Sequence, residues 1–329
     1  MKKIRHLLEY ALVLGCYRLI RVMPHCGIAF IAALSGAGMW SYPPFRKLIR
    51  ANIRAALPEK TAAEIDAIGR RSCRNVLMNL LEFVWLTGVP ERIRRCYVLP
   101  DEITAQLRGH VAAKERIIFV NPHLGSWEAS GLMAPYYAGV EMVAIAKPVR
   151  NPYLNRLLNQ GNREKEHGLR IIFAKGAIRA ATRALREGLG VGTLIDQNTK
   201  IREGGEFVNF FGLPVPTSMA PAALKRYCDV HGIPAVIIYG SSLRMPDGTV
   251  RAHSEYLSKP FDQYPDEKTV VEELMAISEK YIRQYPDQYL WLYKRFLNMP
   301  RDLDPATRAR YPFYAKVASD SFLGRREKS

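Results

Sequence analysis

The amino-acid sequence predicts an α/β fold, with a mostly parallel central sheet flanked by helices and an N-terminal helical membrane-associating segment. From about residue 115 onwards, short apolar runs alternate with helical stretches, a pattern typical of a parallel sheet covered on both faces. Hydrophobic residues form 48% of the 329-residue chain, enough for a large core. The start of the chain combines two apolar runs with basic residues. We expect one main domain behind this start.

The N-terminal segment, residues 1–44, contains no clear transmembrane helix. Its first apolar run is interrupted by Glu9, Arg18 and Arg21. The second run, residues 26–40, is shorter than the roughly twenty residues that a spanning helix needs, and prolines bracket it. We therefore expect a re-entrant or interfacial anchor whose neighbouring arginines meet anionic lipid headgroups.

Three other interpretations of this segment stay open. A secretory signal is disfavoured by Glu9 inside the apolar run and by the lack of a small-residue cleavage site. The stretch "VLGC", which ends at Cys16, loosely matches a lipoprotein processing site. An ordinary helical hairpin of the core is the third alternative, since apolar runs of this length also form core helices.

Residues 45–90 are predicted to form a helical region that packs on the core. A basic helix ends at Pro58, and Thr61 with Glu64 three residues later forms a capping box. Apolar residues then recur at helical spacing up to Val84. This pattern predicts one long amphipathic helix.

Residues 91–329 are predicted to form the α/β core. The strands are expected at 117–120, 142–146, 169–173, 191–195, 235–239 and about 250–258. The helices are expected near 126–137, 153–166, 176–187, 218–230 and 268–284. In such sheets, reactive groups gather in the loops beyond the carboxyl ends of the strands.

The formal charge of +17 is concentrated at the start of the chain, where Glu9 and Glu59 are the acidic residues among the first sixty. Such an excess attracts nucleic acid, anionic lipid or acidic proteins, and charge alone does not choose between them. The five cysteines contain no CxxC pair, which argues against a zinc site and a disulfide framework. Because the sequence also lacks a phosphate-binding loop, a dinucleotide fingerprint and a metal-ligand cluster, we expect no metal and no bound cofactor.

The stretch "IIFVNPHLGSWEASGL", residues 117–132, carries the strongest candidate for chemistry. On one helix, His123 and Glu128 would lie about 140° apart, so we place His123 in the turn and Glu128 in the first turn of the next helix. A neutral imidazole can then take a proton from a hydroxyl while the carboxylate orients it, with no serine or cysteine nucleophile. Backbone N–H groups near Ser126 are candidate oxyanion donors. A capping or surface histidine is the alternative.

Six stretches together carry a resemblance to a known family. They are "ANIRAALPE", "RRSCRNVLMNLLEF", "NPHLGSWE", "LIDQNTK", "GGEFVNFFGLPVPTSMAPAALKR" and "YPDQYLWLYKRF". In this order they resemble the lipid A biosynthesis (lauroyl/myristoyl) acyltransferase family, related to the His-x4-Asp/Glu glycerolipid acyltransferases. The resemblance covers nearly the whole chain.

The resemblance implies a membrane enzyme at the cytoplasmic face of the inner membrane. It would transfer a fatty acyl chain from acyl carrier protein or coenzyme A to a hydroxyl of a lipid A precursor, with no cofactor. His123 would be the base and Glu128 its partner. The implied partners are the lipid acceptor, acyl carrier protein and the membrane surface, and not nucleic acid.

The resemblance also implies five substrate-binding residues. Asp196 and Gln197 match the family's Asp-Gln block and would line the cleft, while Arg150 follows a strand where the family carries an arginine. Lys294 and Arg295 lie in the last block, where phosphate binding and a buried salt bridge are alternative roles.

Two further features have two interpretations each. The aromatic residues of "FVNFFG", including Phe210 and Phe211, form either an apolar rim for an acyl chain or a buried strand. Arg179, Arg183 and Arg186 recur at helical spacing and form one basic face. That face either docks an acidic carrier protein or lipid phosphates, or is simply solvated.

Two rival functions are kept. One is an acyltransferase for another phospholipid, glycolipid or aminolipid. The other is a non-catalytic basic protein that binds membranes or nucleic acid, for which the basic residues offer no recognisable nucleic-acid motif.

Overall fold

A central sheet organises the computed structural model, which describes residues 2–87, 89–146, 148–166, 169–173 and 176–324. The strands are β1 (Tyr97–Val98), β2 (Arg116–Asn121), β3 (Met142–Ala146), β4 (Arg170–Phe173), β5 (Gly190–Leu194), β6 (Gly205–Phe210), β7 (Leu213–Ser218), β8 (Ala235–Arg244), β9 (Val250–Tyr256), β10 (Asn298–Met299) and β11 (Lys316–Val317). Seven of them form the main sheet in the order β1-β9-β8-β2-β5-β3-β4. Neighbours run parallel except for β8 and β9. The predicted α/β fold with a mostly parallel sheet is therefore confirmed.

Helices cover both faces of this sheet. They are α1 (Lys2–Val22), α2 (His25–Ser41), α3 (Pro43–Ala56), α4 (Ala62–Trp85), α5 (Pro90–Cys96), α6 (Asp101–Ala112), α7 (Trp127–Ala138), α8 (Pro152–Asn155), α9 (Ala177–Arg186), α10 (Ala220–Val230), α11 (Glu267–Gln284), α12 (Pro305–Ala309) and α13 (Asp320–Leu323). Because alternate residues of a strand point to opposite faces, Ile117 belongs to the core beneath α6 and α7, whereas Ile118 belongs to the core beneath α9, α10 and α11.

The long helix α4 begins as its sequence predicts. The Thr61 side chain accepts a hydrogen bond from the Glu64 backbone, and the Glu64 carboxylate accepts one from the Thr61 backbone at 2.9 Å. This reciprocal capping box satisfies two backbone groups that a helix end otherwise leaves without partners. The helix then packs against α2, where Gly36 is required because a Cβ there would lie 2.8 Å from the Arg74 backbone.

The N-terminal helices α1 and α2 expose many apolar side chains. Ile4, Leu8 and Leu12 recur every fourth residue of α1 and are 63%, 67% and 71% exposed. On α2, Phe30 and Leu34 show the same spacing and are also exposed. No helix within the described residues is both long enough and apolar enough to cross a membrane.

One predicted helix differs from the structure in form, and the structure decides between the two interpretations of the "FVNFFG" stretch. The helix predicted at 153–166 is a short α-helix, α8, followed by a π-helix over Arg156–Glu166. The "FVNFFG" stretch forms β6 and pairs antiparallel with β7 in a separate hairpin. Phe210, the last residue of β6, and Phe211, in the turn after it, are both buried in the core, so neither forms an apolar rim, and the buried-strand interpretation holds for Phe210.

Candidate active site

The loop that carries His123 is fixed at the carboxyl end of β2. Gly125 has φ +63°, and a Cβ at this position would lie 2.0 Å from the Ser242 carbonyl oxygen, so only glycine fits. The backbone N–H groups of Gly125 and Ser126 donate to the carbonyls of Gln288 and Ser242 at 3.0 and 2.7 Å. These two amides are therefore already used and do not face an oxyanion, whereas oxyanion donation by the first amides of the following helix stays a prediction.

The imidazole of His123 is paired with Asp196. Its Nδ1 lies 2.7 Å from Asp196 Oδ1, and the His123 backbone N–H donates to Oδ2 of the same carboxylate at 3.0 Å. The two residues meet because Asp196 follows β5, which lies next to β2 in the sheet. Burial alone would raise the pKa of Asp196, but the charge and hydrogen bonds of His123 hold that pKa below its ordinary value. Asp196 is therefore an anion at neutral pH.

The second ring nitrogen of His123 faces Gln197. The Gln197 amide nitrogen lies 3.1 Å from Nε2. Because an amide NH₂ group only donates, Nε2 is the unprotonated acceptor in this arrangement and Nδ1 carries the proton that is shared with Asp196. This tautomer is the one that a general base requires.

Glu128 has a different partner from the predicted one. Its carboxylate accepts a hydrogen bond from the Arg163 guanidinium at 2.5 Å, and Arg163 also packs over the Phe83 ring at 5.0 Å. The structure thus differs from the predicted pairing of Glu128 with the imidazole, because Asp196 occupies Nδ1. Both Glu128 and Arg163 line the same cavity as His123.

This cavity has a volume of about 1290 Å³ and lies over the carboxyl ends of β2, β3 and β5. It continues between α7 and the sheet, where Gly192 and Gly240 line it and the space beside Gly240 is open. The cavity is larger than typical small-molecule pockets of roughly 300 to 1,000 Å³. Its interior is lined by apolar side chains, among them Phe83, Leu99, Ile103, Leu107 and Met133.

A buried polar network supports the loop from below. The Tyr97 hydroxyl lies 3.0 Å from Ser126 Oγ and donates to Glu82 at 3.1 Å. The fully buried Glu82 also contacts His25 of α2 at 2.7 Å and pairs with Arg244. Although burial opposes ionisation, His25 and Arg244 hold the pKa of Glu82 below its ordinary value. The network thus connects the N-terminal helices to the loop between His123 and Glu128.

The other predicted binding residues lie away from the cavity lining. Arg150 and Lys294 are exposed, and a substrate-binding role for them stays a prediction. Arg295 is 2% exposed and donates to Asn198, Pro216 and Thr217. These acceptors are neutral, so Arg295 ties β7 to the segment after Gln197 and forms no salt bridge with a carboxylate of the described residues. Phosphate binding by Arg295 stays a prediction.

Arg163 is the site residue that sequence reasoning missed. It lies in the π-helix, whose side-chain positions do not follow the 3.6-residue period used to interpret the sequence. The family resemblance implies that Asp196 lines the cleft, but it does not give the contact with His123, which joins residues 73 apart in the sequence. The available signal was that both residues follow strands, since adjacent parallel strands end at the same edge of a sheet.

A comparison with known protein families shows which family the chain belongs to. Residues 1–298 match the model of the bacterial lipid A biosynthesis acyltransferases. The chain belongs to this family. Similar relatives include the lipid A biosynthesis palmitoleoyltransferase of Escherichia coli (strain K12) and the lipid A biosynthesis acyltransferase of Shigella flexneri. Each is 24% identical over 285 residues, which cover 84% of this chain and 87% of the relative.

As a lipid A biosynthesis acyltransferase, the protein is an enzyme that transfers an acyl group. This excludes the non-catalytic basic protein kept as a rival above. The matched region contains His123, Glu128, Arg163 and Asp196, so the whole cavity lies within the part of the chain that defines the family.

Proposed function

We propose that the protein transfers a fatty acyl chain from a thioester donor to a hydroxyl group of a lipid A precursor, with His123 as the general base. The observation that carries this proposal is the hydrogen bond between Asp196 and Nδ1 of His123, beside a large cavity with an apolar interior. The names of the relatives support lipid A synthesis as the context.

The chemical step uses the free lone pair on His123 Nε2. The acceptor hydroxyl displaces the Gln197 amide and gives its proton to Nε2 as its oxygen attacks the thioester carbonyl carbon. Asp196 stabilises the imidazolium that forms. The C–S bond then breaks, and the imidazolium returns the proton to the departing thiolate, which leaves an ester and a free thiol.

Arg163 is proposed to stabilise negative charge in this reaction. Its guanidinium lines the cavity and is held by Glu128 and by the Asn159 side chain. A guanidinium fixed in this way can donate to the oxyanion of the tetrahedral intermediate without reorganising. In this proposal Glu128 positions Arg163, while Asp196 orients the base.

The acyl chain is proposed to occupy the apolar part of the cavity beneath α7. Leucine, isoleucine and phenylalanine side chains form its walls, and burial of a methylene group there contributes about 0.8 kcal/mol. The thioester carbonyl then lies at the carboxyl ends of the strands, next to His123.

The N-terminal helices are proposed to seat the enzyme on the cytoplasmic surface of the inner membrane. The exposed stripe of Ile4, Leu8 and Leu12 supports an interfacial helix. The double variant Leu8→Asp/Leu12→Asp is expected to lose flotation with anionic vesicles. Val230→Asp is the matched control, because Val230 is 76% exposed on α10, outside this segment. Equal flotation of both variants would contradict the proposal.

The experiment that tests the function follows a labelled acyl group from a thioester to separate acceptors. The detergent-solubilised protein is given a lipid A precursor, phosphatidylglycerol or a neutral glycolipid, and the products are analysed by mass spectrometry. The proposal predicts an ester on the lipid A precursor. Acylation of another lipid alone would replace the acceptor, and absence of any ester product would contradict the reaction.

A further inference from the structure

Three asparagines recur at every fourth position in the segment formed by α8 and the π-helix. They are Asn151, Asn155 and Asn159, and Arg163 follows after the same interval. Asparagine is a weak helix former, because its short amide competes for backbone hydrogen bonds. Residues four apart are neighbours along a helix, so contacts between these side chains explain why asparagine recurs at this spacing.

The asparagine side chains form a series of hydrogen bonds that ends at Arg163. Asn159 Nδ2 donates to Asn155 Oδ1 at 2.9 Å, and the Arg163 guanidinium donates to Asn159 Oδ1. Asn155 Oδ1 is itself held by the Val149 backbone N–H at 2.9 Å. Asn159 is 1% exposed, so its amide is shielded from water and satisfied by the protein. Asn159 is therefore a positioning residue for the guanidinium of Arg163.

The first asparagine of the series, Asn151, joins the segment to α1. Its Nδ2 donates to the His6 carbonyl at 2.8 Å and to Glu9 Oε2 at 3.0 Å. Its Oδ1 accepts from two backbone N–H groups in the first turn of α8, which makes Asn151 the N-cap of that helix. Tyr10 of α1 packs beside Tyr153 of α8, with ring centroids 5.8 Å apart. One buried side chain thus begins α8 and fastens it to α1.

Helix α1 presents different faces to this segment and to its surroundings. His6 is buried against the segment, whereas Leu8 and Leu12 are largely exposed. A helix gains most of its stability from covering its apolar face, and water does not cover these side chains. A lipid surface would cover them and hold α1 where His6 and Glu9 meet Asn151. Contact of α1 with lipid therefore acts on the segment that carries Arg163.

We infer that a lipid surface activates the enzyme, because α1 seated on lipid holds Arg163 in the cavity through Asn151, α8 and the π-helix. The inference rests on the proposed function, in which Arg163 stabilises the oxyanion, and it names what regulates that site. A π-helix suits this role, since such helices are rare and are found frequently at functional sites. Without lipid, the first turn of the segment is held less firmly, and the guanidinium occupies its position in the cavity in fewer molecules.

The test first follows the segment itself, without any substrate. Hydrogen exchange of the backbone amides in residues 151–163 is measured in detergent-free buffer, with and without vesicles of phosphatidylethanolamine and phosphatidylglycerol. Flotation shows how much protein is bound to the vesicles. The variants are Asn151→Ala and Glu9→Ala, the second of which removes an acceptor on α1 but keeps the cap of α8. The matched control is Asn209→Ala, which changes an exposed asparagine of β6 outside the cavity lining.

The inference predicts that vesicles slow this exchange roughly tenfold or more in the parent and in the control. Asn151→Ala floats like the parent, but vesicles leave its exchange nearly unchanged, and Glu9→Ala shows less slowing than the parent. A parent that does not float, or that floats without slower exchange, would overturn the inference. Equal slowing in the parent and both variants would also overturn it. If Asn151→Ala does not fold, Glu9→Ala decides between these outcomes.

Transfer of an acyl group to a lipid A precursor in the same vesicles then connects the segment to the reaction. Asn151→Ala is expected to lower kcat roughly tenfold with KM nearly unchanged, which is less than the about 10² to 10³ that a lost oxyanion donor costs. In an Arg163→Ala background, Asn151→Ala should have no further effect, because Asn151 acts through Arg163.

The double variant separates this route from a general loss of structure. An equal fall in kcat with and without Arg163 would overturn the route through the guanidinium. If Asn151→Ala transfers at the parent rate, the inference fails while the proposed function stands. If the parent forms no ester on any acceptor, the proposed function fails and the inferred activation fails with it.

Discussion

Replacement of Asp196 by asparagine tests which carboxylate orients the base. The substitution keeps the size of the side chain but removes the negative charge that lies 2.7 Å from Nδ1 of His123. In the transition state the imidazole becomes positive. The charge centres are then about 4 Å apart, which at an effective dielectric constant of about 20 corresponds to roughly 4 kcal/mol.

A loss of this size predicts a fall in kcat of about 10³. The asparagine amide can also donate to Nδ1, which would place the proton on Nε2 and block the base, so the fall ranges from about 10² to 10⁴. The assay is single-turnover transfer of a labelled acyl group at saturating donor, with circular dichroism and thermal unfolding to verify the fold. Glu128→Gln is the matched comparison and is expected to lose at least about tenfold less, because it leaves the imidazole pair intact.

Two outcomes would refute this reasoning. A well-folded Asp196→Asn enzyme that keeps a third or more of the parent rate would show that the carboxylate does not stabilise an imidazolium. A larger defect in Glu128→Gln than in Asp196→Asn would restore Glu128 as the partner of His123.

Three further predictions concern stability and specificity. Glu82→Ala leaves the partly buried Arg244 without its carboxylate and should lower the free energy of unfolding by about 3 kcal/mol in urea denaturation. A change below about 1 kcal/mol would contradict this. Because folding lowers the pKa of Glu82, its ionised form stabilises the protein above its ordinary pKa of 4.5, and that stability is lost as the pH falls further. Glu82→Gln should therefore weaken the decrease of the free energy of unfolding with falling pH. An unchanged decrease would count against the network. Gly240→Leu fills open space in the cavity, because a Cβ added at this position would have the His253 carbonyl oxygen as its nearest neighbour at 3.9 Å. The variant should prefer donors with shorter acyl chains in a competition assay. An unaltered preference for chain length would contradict binding of the acyl chain beneath α7.

The strands were predictable because they are short apolar runs bounded by turn residues. The strand predicted at 142–146 coincides with β3, and that predicted at 235–239 begins where β8 begins. β8 continues to Arg244 because it forms an antiparallel hairpin with β9, in which Ser241 pairs with His253 and Ser242 pairs with Ala252. The apolar pattern of a strand indicates that the strand is buried, but it does not show which strand it pairs with or how far the pairing extends.

The sequence allowed most residues of the site to be predicted, but not which of them contact each other. His123 and Asp196 both follow strands, and the order of those strands in the sheet decides that they meet. Sequence proximity favoured Glu128 instead, but α7 directs that side chain towards Arg163 of the π-helix. Arg295 shows the same limit, since its position in a block of charged and aromatic residues does not reveal that it is buried.

The role of His123 as the general base of an acyl transfer is tested most directly by one comparison of rates. Labelled acyl transfer from a thioester to a lipid A precursor is measured for the parent protein and for His123→Ala, with unfolding curves for both. A general base at this position predicts that the variant folds like the parent and transfers more slowly by a factor on the order of 10² to 10⁴. A folded His123→Ala protein that transfers at the parent rate would contradict this role.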